Sequence, residues 1–295
     1  MTPELESLSQ AQRDRLAYIE LRLWFIGGIR RQHLIERFGV QTAAATRDMA
    51  MYKNFAPDNL IYDGSAKAYT LASGFSPLFP FTPDRVLAWL TQGFADGEPG
   101  DWLAGVSCVQ PARLAQPALQ TLASVTRAIH QQCPIGIRYE SLTGTSDRVI
   151  VPYSLIDNGL RWHVRGFDRK SGEFRDFVIT RIQDPEILAD QPVKSHERSN
   201  ADNQWTRIVE LELVPHPDQP RPEVTLLDYG MEDGVLKVSL RAVTAGYTLR
   251  QWNVDCSPDH SLKGHEYRLW LRNPLALYGV KNAILAPGFR EGALS

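Results

Sequence analysis

The first apolar pattern along the chain is helical. In "QAQRDRLAYIELRLWFI" (10–26), Leu16, Ile19, Leu23 and Ile26 recur at spacings of three, four and three, which places one stripe on one face. The pair Gly27–Gly28 stops that helix. "RRQHLIERF" (30–38) predicts a second helix that buries Leu34, Ile35 and Phe38. Gly39 follows as a tight turn, since glycine takes positive φ at little cost. "QTAAATRDMAMYKNF" (41–55) predicts a third helix with Val40, Ala45 and Met49 on its inner side. Its alanines permit close approach to the second helix. "LIY" and "AYTL" then flank "DGSAK", an Asp-Gly hairpin signal.

Beyond residue 75 the pattern loosens. Pro and Gly dominate residues 76–118 ("SGFSPLFPFTPD", "DGEPGDW", "VQPARLAQP"), which reads as connecting structure with a short helix at "DRVLAWL". "PALQTLASVTRAIHQQ" predicts a helix. The strands "IGIRYES", "RVIVPYSLIDNG", "LRWHVRGFD" and "EFRDFVITRI" follow, turning at "LTGTSD", "DNG" and "RKSG". Short strands with tight turns predict a small twisted barrel. "DQPVKSHERSNADNQ" (190–204) is polar and turn-rich and reads as a linker. "QWTRIVELELVPHPD" and "GVLKVSLRAV" alternate as strands, and "YTLRQWNVDCS" and "EYRLWLRNPLALYGVKNAILAP" add strand and helix signals. The C-terminal region is therefore expected to be an α+β domain, with Trp252, Trp270 and Tyr278 in its core. The expected divisions are 1–75, 76–118, 119–190, 191–204 and 205–295.

One strand poses a chemical question. In "GLRWHVRGFD" (159–168), Trp162, Val164 and Gly166 share one face, and Arg161, His163, Arg165 and Phe167 share the other. The second face carries a basic row. It is either a solvated surface or an anion-binding one.

Composition narrows the classes. The chain has 295 residues, 43% hydrophobic and 22% charged, with a net charge of −2. This is ordinary for a globular protein, so local charge must decide about nucleic acid. No apolar run approaches the ~20 residues of a membrane span. The N-terminus lacks the apolar centre of a signal peptide, and cytoplasmic location is expected. Three cysteines lie far apart, in neither a disulfide framework nor a zinc spacing. No Gly-rich phosphate loop, GxSxG or HExxH occurs. An arginine-rich face also argues against the clustered carboxylates of a metal nuclease. No catalytic residue, metal or cofactor is expected.

Local charge changes the picture near the N-terminus. Between residues 22 and 53, six basic residues (Arg22, Arg30, Arg31, Arg37, Arg47, Lys53) face two acidic ones (Glu36, Asp48). Two short helices joined by a glycine turn form a helix–turn–helix whose second member enters the major groove. Thr42, Ala43, Thr46 and Arg47 fall on its outer face. Arg47 suits guanine, and the threonines suit phosphate or a thymine methyl. Arg30, Arg31 and Lys53 suit phosphates, and the hairpin is a wing with Lys67 at its tip. Glutamine caps helices poorly, so Thr42 rather than Gln41 is expected at the cap.

"FGVQTAAATRDM" resembles the recognition segment of bacterial winged helix–turn–helix repressors. Tyr139, Arg148, Pro152, the "WHVRGFD" strand and "EFRDFVITRI" resemble a WYL domain, although His163 and Val164 stand where that family shows Tyr and Leu. Taken together, the chain resembles the WYL transcriptional regulators of bacteria, some of which accompany phage-defence operons. The resemblance implies a winged helix, a central Sm/SH3-like barrel that senses a ligand, and a C-terminal α+β (WCX-like) domain that holds a homodimer. It implies a repressor on a double-stranded inverted-repeat operator, with a nucleic-acid or nucleotide-like anionic effector. The residues for that effector are Tyr139, Ser141, Arg148, His163, Arg165, Phe174 and Arg181, by arginine forks and aromatic stacking. The alternative is that each arginine pairs with a nearby acid, since residues 134–184 hold eight basic and seven acidic residues. A second functional reading is a nucleic-acid-binding accessory protein without regulatory output.

Overall fold

The computed structural model describes residue 5, residues 7–92 and residues 114–290. The Pro/Gly-rich stretches within 93–113, with Cys108, and residues 291–295 lie outside the described residues. The chain divides into two compact units, Met1–Pro111 and Ala112–Ser295.

The first unit is built on α1 (Gln10–Ile26). Ser9 accepts from the Gln12 backbone N–H, and the Gln12 side chain accepts from Ser9 in return, a capping box. Leu16, Ile19 and Leu23 are buried as the spacing predicts, but so are Tyr18, Glu20, Leu21 and Arg22. The helix is enclosed on more than one face. α2 (Arg31–Phe38) and α3 (Thr42–Phe55) follow, joined through Gly39 at φ 62°. Gln41, not Thr42, occupies the cap of α3, with extended backbone and no side-chain bond; Thr42 is already helical. The hairpin β2 (Leu60–Asp63) and β3 (Ala68–Leu71) forms as predicted. A two-residue strand β1 (Gly28–Ile29), which the Gly-Gly pair disguised, completes a sheet of order β1-β3-β2.

Residues 76–92, read from sequence as connecting structure, pack into this same core. Buried Glu20 accepts from the Tyr52 hydroxyl (2.8 Å) and from the backbone N–H of Leu78 (3.0 Å) and Phe79 (2.9 Å). Burial raises the Glu20 pKa, and these three donors oppose the rise. Val86, on α4 (Pro83–Gln92), is buried beside them.

In the second unit, α5 (Leu119–Gln131) covers a five-stranded antiparallel sheet: β4 (Ile135–Ser141), β5 (Gly144–Asp157), β6 (Trp162–Asp168), β7 (Glu173–Val178) and β8 (Ile182–Ile187). The order is β7-β6-β5-β4-β8. The two outer strands do not pair with each other, so the expected barrel is not closed. β5 also starts earlier than the "LTGTSD" turn predicts, leaving only Leu142 and Thr143 between strands. The β5–β6 register slips between Pro152 and Ser154. There β5 comes so close that a Cβ on Gly166 would lie 2.6 Å from the Val151 carbonyl oxygen, which explains the glycine in "WHVRGFD".

Residues 191–206 are firmly tied down. Glu197 and Asp202 are each 2% exposed. Arg169 Nε lies 2.8 Å from Glu197 Oε1, and α6 (Asn203–Thr206) leads into β9 (Ile208–Pro215). β9 is central in a sheet of order β10-β9-β11, with β10 (Leu236–Arg241) and β11 (Leu269–Leu271). α7 (Pro222–Asp228) and α8 (Ala242–Gln251) complete the domain. Val209, Leu211 and Leu213 point into its core, as the alternation predicts. Trp252 and Tyr278, expected in that core, are exposed; Trp270 is half-buried, its Nε1 donating to the Ser257 carbonyl.

Candidate DNA-binding face and effector cleft

α3 separates cleanly into two faces. Ala45, Asp48, Met49 and Tyr52 are buried, and Arg15 binds Asp48 at 2.6 Å. Thr42, Ala43, Thr46, Arg47 and Lys53 are exposed. Arg47 makes no ion pair or hydrogen bond among the described residues. Its five donors remain available for a base edge or phosphate. Thr46 is already engaged: its hydroxyl donates to the Thr42 carbonyl (2.9 Å) and accepts from Arg31 Nη1 (3.3 Å). Arg31 is itself exposed, with this one guanidinium nitrogen resting on the Thr46 hydroxyl. Arg30 is exposed at the cap of α2. Of the basic run counted in the sequence, Arg22 is buried and contributes no surface charge.

The wing turn is locally organised. Asp63 Oδ1 accepts from the Ser65 N–H, the Ser65 hydroxyl and the Ala66 N–H. These bonds hold the Asp63 pKa below its ordinary value and leave Lys67 exposed at φ 49°.

The basic row of β6 is not a surface. His163 and Arg165 are each 5% exposed, because residues 191–206 and α8 cover the face that alternation assigned to solvent or ligand. Arg165 Nη1 lies 3.0 Å from Asp176 Oδ1, its directly opposed cross-strand partner on β7. Arg165 Nε lies 2.8 Å from Asp202 Oδ2. Each carboxylate takes a further hydroxyl: Tyr247 of α8 donates to Asp176 (2.9 Å), and Tyr153 of β5 donates to Asp202. Burial disfavours the Arg165 charge, but the two aspartates more than offset that and raise its pKa. Burial likewise works against the Asp202 anion, and the Arg165 and Tyr153 bonds bring its pKa below the ordinary value. His163 stacks on Tyr247, ring centroids 5.5 Å apart, and burial lowers its pKa, so it stays neutral at pH 7.

The other expected effector residues separate. Tyr139 is a core residue, edge-on to Phe177 at 5.1 Å, its oxygen accepting from the Val178 N–H. Ser141 closes the β4–β5 turn, donating to the Gly144 carbonyl at 2.7 Å. Arg148 pairs with Asp168 at 2.5 Å and lines a different hollow, beside Arg138 and Lys170. Arg181 sits half-buried between β7 and β8 with no partner among the described residues. Only Arg165 and Phe174 come together, in a cleft of about 290 Å³ between the β6–β7 edge and the C-terminal domain. Arg175, Gln204, Lys281 and Asn282 line the same cleft, with Glu173 and Asp176 the acids there. Arg165 Nη2 is buried with no hydrogen-bond partner among the described residues. Nothing local in the sequence places residues 204 and 281–282 beside β7.

Among the described residues, no helix is long and apolar enough to cross a membrane, and no group of three or more His, Cys, Asp or Glu is placed to hold a metal.

Three family descriptions match successive parts of the chain. They are the BrxR transcriptional regulator winged helix-turn-helix domain over 11–92, the WYL domain over 120–187, and the BrxR transcriptional regulator C-terminal dimerization domain over 208–277. Relatives named DNA-binding transcriptional repressor CapW are similar over most of their length. The protein from Escherichia coli strain KTE188 is 29% identical over 91% of both chains. Those from Stenotrophomonas maltophilia and Pseudomonas aeruginosa are each 30% identical over 83% of this chain, covering 84% and 83% of their own. With all three domains matched in order and that identity across most of its length, the chain belongs to the CapW repressor family.

Proposed function

We propose that the chain is a homodimeric, sequence-specific DNA-binding repressor without enzymatic activity, relieved by an anionic nucleic-acid or nucleotide-like effector and acting at a phage-defence locus. The observation that carries the DNA-binding part is the outer face of α3. It presents Arg47, without a partner among the described residues, beside Thr42 and Ala43, on a helix whose opposite face is locked into the core. A dimer of such domains reads two half-sites about one helical turn, ~34 Å, or a multiple apart, which favours an inverted-repeat operator. Arg30, Lys53 and Lys67 supply phosphate contacts.

The effector part rests on the cleft beside β7. Arg175 and Lys281 bring positive charge, Phe174 an aromatic surface, and Arg165 a free buried donor. An effector there changes DNA affinity only if it binds one arrangement of the protein better than another. Operator DNA from upstream of the protein's own gene tests the whole reading in a mobility-shift titration, with and without short single-stranded nucleic acid or cyclic nucleotides. A specific complex that such a ligand releases supports it. A complex indifferent to every such ligand removes the effector part, and binding without sequence preference favours the accessory-protein reading.

A further inference from the structure

The C-terminal domain contains a hollow that neither DNA binding nor the effector cleft uses. It lies between the turn after β9 (216–221), the start of α7 and loop 262–268, and encloses about 350 Å³. That is within the roughly 300–1,000 Å³ of small-ligand sites. Arg221, Lys263 and Arg268 line it, with Asp218 as the lining carboxylate. Each cation also has a carboxylate within ion-pair distance: Glu223, Asp218 and Asp228 respectively.

The frame around these cations is fixed. His216 is 3% exposed; its Nε2 lies 3.1 Å from Asp255 Oδ2, and its Nδ1 accepts from the Asp218 N–H at 3.2 Å. Both ring nitrogens are hydrogen-bonded, so His216 is a fixed part of the wall. Asp255 also accepts from the Ser257 and Leu262 N–H groups, which pins the loop carrying Lys263. Gln219 ties the opposite rim to the Tyr267 carbonyl at 3.3 Å.

The cations keep donors in reserve. Glu223 takes Arg221 Nε at 2.7 Å, and the two Nη groups of Arg221 remain. Among the described residues, Lys263 meets Asp218 alone. Arg268 Nη2 reaches Thr225 Oγ1 at 3.4 Å and Asp228 at 3.7 Å, while its Nε is buried with no hydrogen-bond partner among the described residues. Guanidinium forks and an ammonium converging on one hollow match the several acceptor oxygens and negative charge of a phosphate group better than the two oxygens of a carboxylate.

We propose that this hollow binds a phosphate group, carried either by a free nucleotide or by a phosphodiester chain, through Arg221, Lys263 and Arg268. It is separate from the effector cleft and stands whether or not that cleft takes a ligand. The test is calorimetric titration of the full chain with adenosine monophosphate, with a short oligothymidylate, and with adenosine as the phosphate-free control. Saturable binding of the nucleotide, or tighter binding of the oligonucleotide, is expected, with adenosine silent. The first outcome identifies a free phosphate and the second a phosphodiester. Lys263→Gln and Arg268→Gln should each weaken that binding about tenfold. Lys263 is 69% exposed, so its replacement leaves the fold intact and keeps the test valid if the Arg268 variant unfolds. No saturable binding by either phosphate ligand, or binding unchanged in Lys263→Gln, overturns the proposal.

Discussion

Arg165 and Asp202 stand thirty-seven residues apart in sequence, yet Nε and Oδ2 meet at 2.8 Å with side chains only 6% and 2% exposed. The pair joins the strand that looked like a basic surface to the segment that looked like a linker. Asp176 and the hydroxyls of Tyr153 and Tyr247 complete it, so a chain of hydrogen bonds, buried at Arg165–Asp202 and part-buried elsewhere, runs from β5 through β6 and β7 to α8.

Removing one member of such a network leaves charge buried without compensation. Arg165→Ala strands two carboxylates and should cost about 3–5 kcal/mol. Asp202→Ala should cost less, because Asp176 still neutralises Arg165. Chemical denaturation of the two variants checks the order. A loss under about 1 kcal/mol for Arg165→Ala would mean that the pair is not buried as described.

Arg165 is consequently a poor probe of effector binding, and the exposed cations of the cleft are better ones. Arg175→Gln and Lys281→Gln should leave operator affinity and unfolding unchanged while raising the effector concentration that releases DNA. Effector response identical to wild type in both variants would place the effector elsewhere.

On the DNA side, Arg47 and Lys67 should behave differently. Arg47→Ala should cost about 1–3 kcal/mol on the operator and relax preference at one base position. Lys67→Ala should weaken all sequences alike and flatten the logarithmic salt dependence by about one unit. Fluorescence anisotropy at several salt concentrations reads both. Uniform weakening by Arg47→Ala would demote it from base reader to phosphate contact.

His33 gives the first unit a pH signature. Burial, then the positive charges of Arg22 and Arg30, push its pKa down to about 4, and Nδ1 accepts from the Arg30 N–H at 3.1 Å. The unfolded chain takes up that proton near pH 6.5 and the folded one only near 4. The stability from His33 is thus complete above pH 6.5 and is lost as pH falls from 6.5 towards 4. An NMR titration of the His33 ring should show no midpoint above pH 5; a midpoint near 6.5 would contradict the burial.

Much of the first unit is legible in sequence because its signals are local. The three-and-four spacing of Leu16, Ile19 and Leu23 marks α1, Gly39 marks the turn, and Asp63-Gly64 marks the wing. β1 escapes because two residues carry no period. The second unit is harder. Alternation assigns His163 and Arg165 to the outer face of β6 correctly, but whether that face meets water depends on residues 202 and 247, which no local pattern places there. Of the alternatives for the arginines, pairing with acids holds for Arg148 and Arg165, with Asp168 and Asp176 as partners the composition made available and Asp202 as one it did not. Barrel closure depends on how β7 and β8 meet across the whole sheet, and strand spacing alone does not encode it.

The most direct measurement is the affinity of the full chain for DNA upstream of its own gene against a scrambled duplex of equal length, at fixed physiological salt. The expected result is a preference of about 10³ or more for the upstream DNA, substantially reduced in Arg47→Ala. Equal affinity for the two duplexes would contradict the assignment of α3 as a sequence reader.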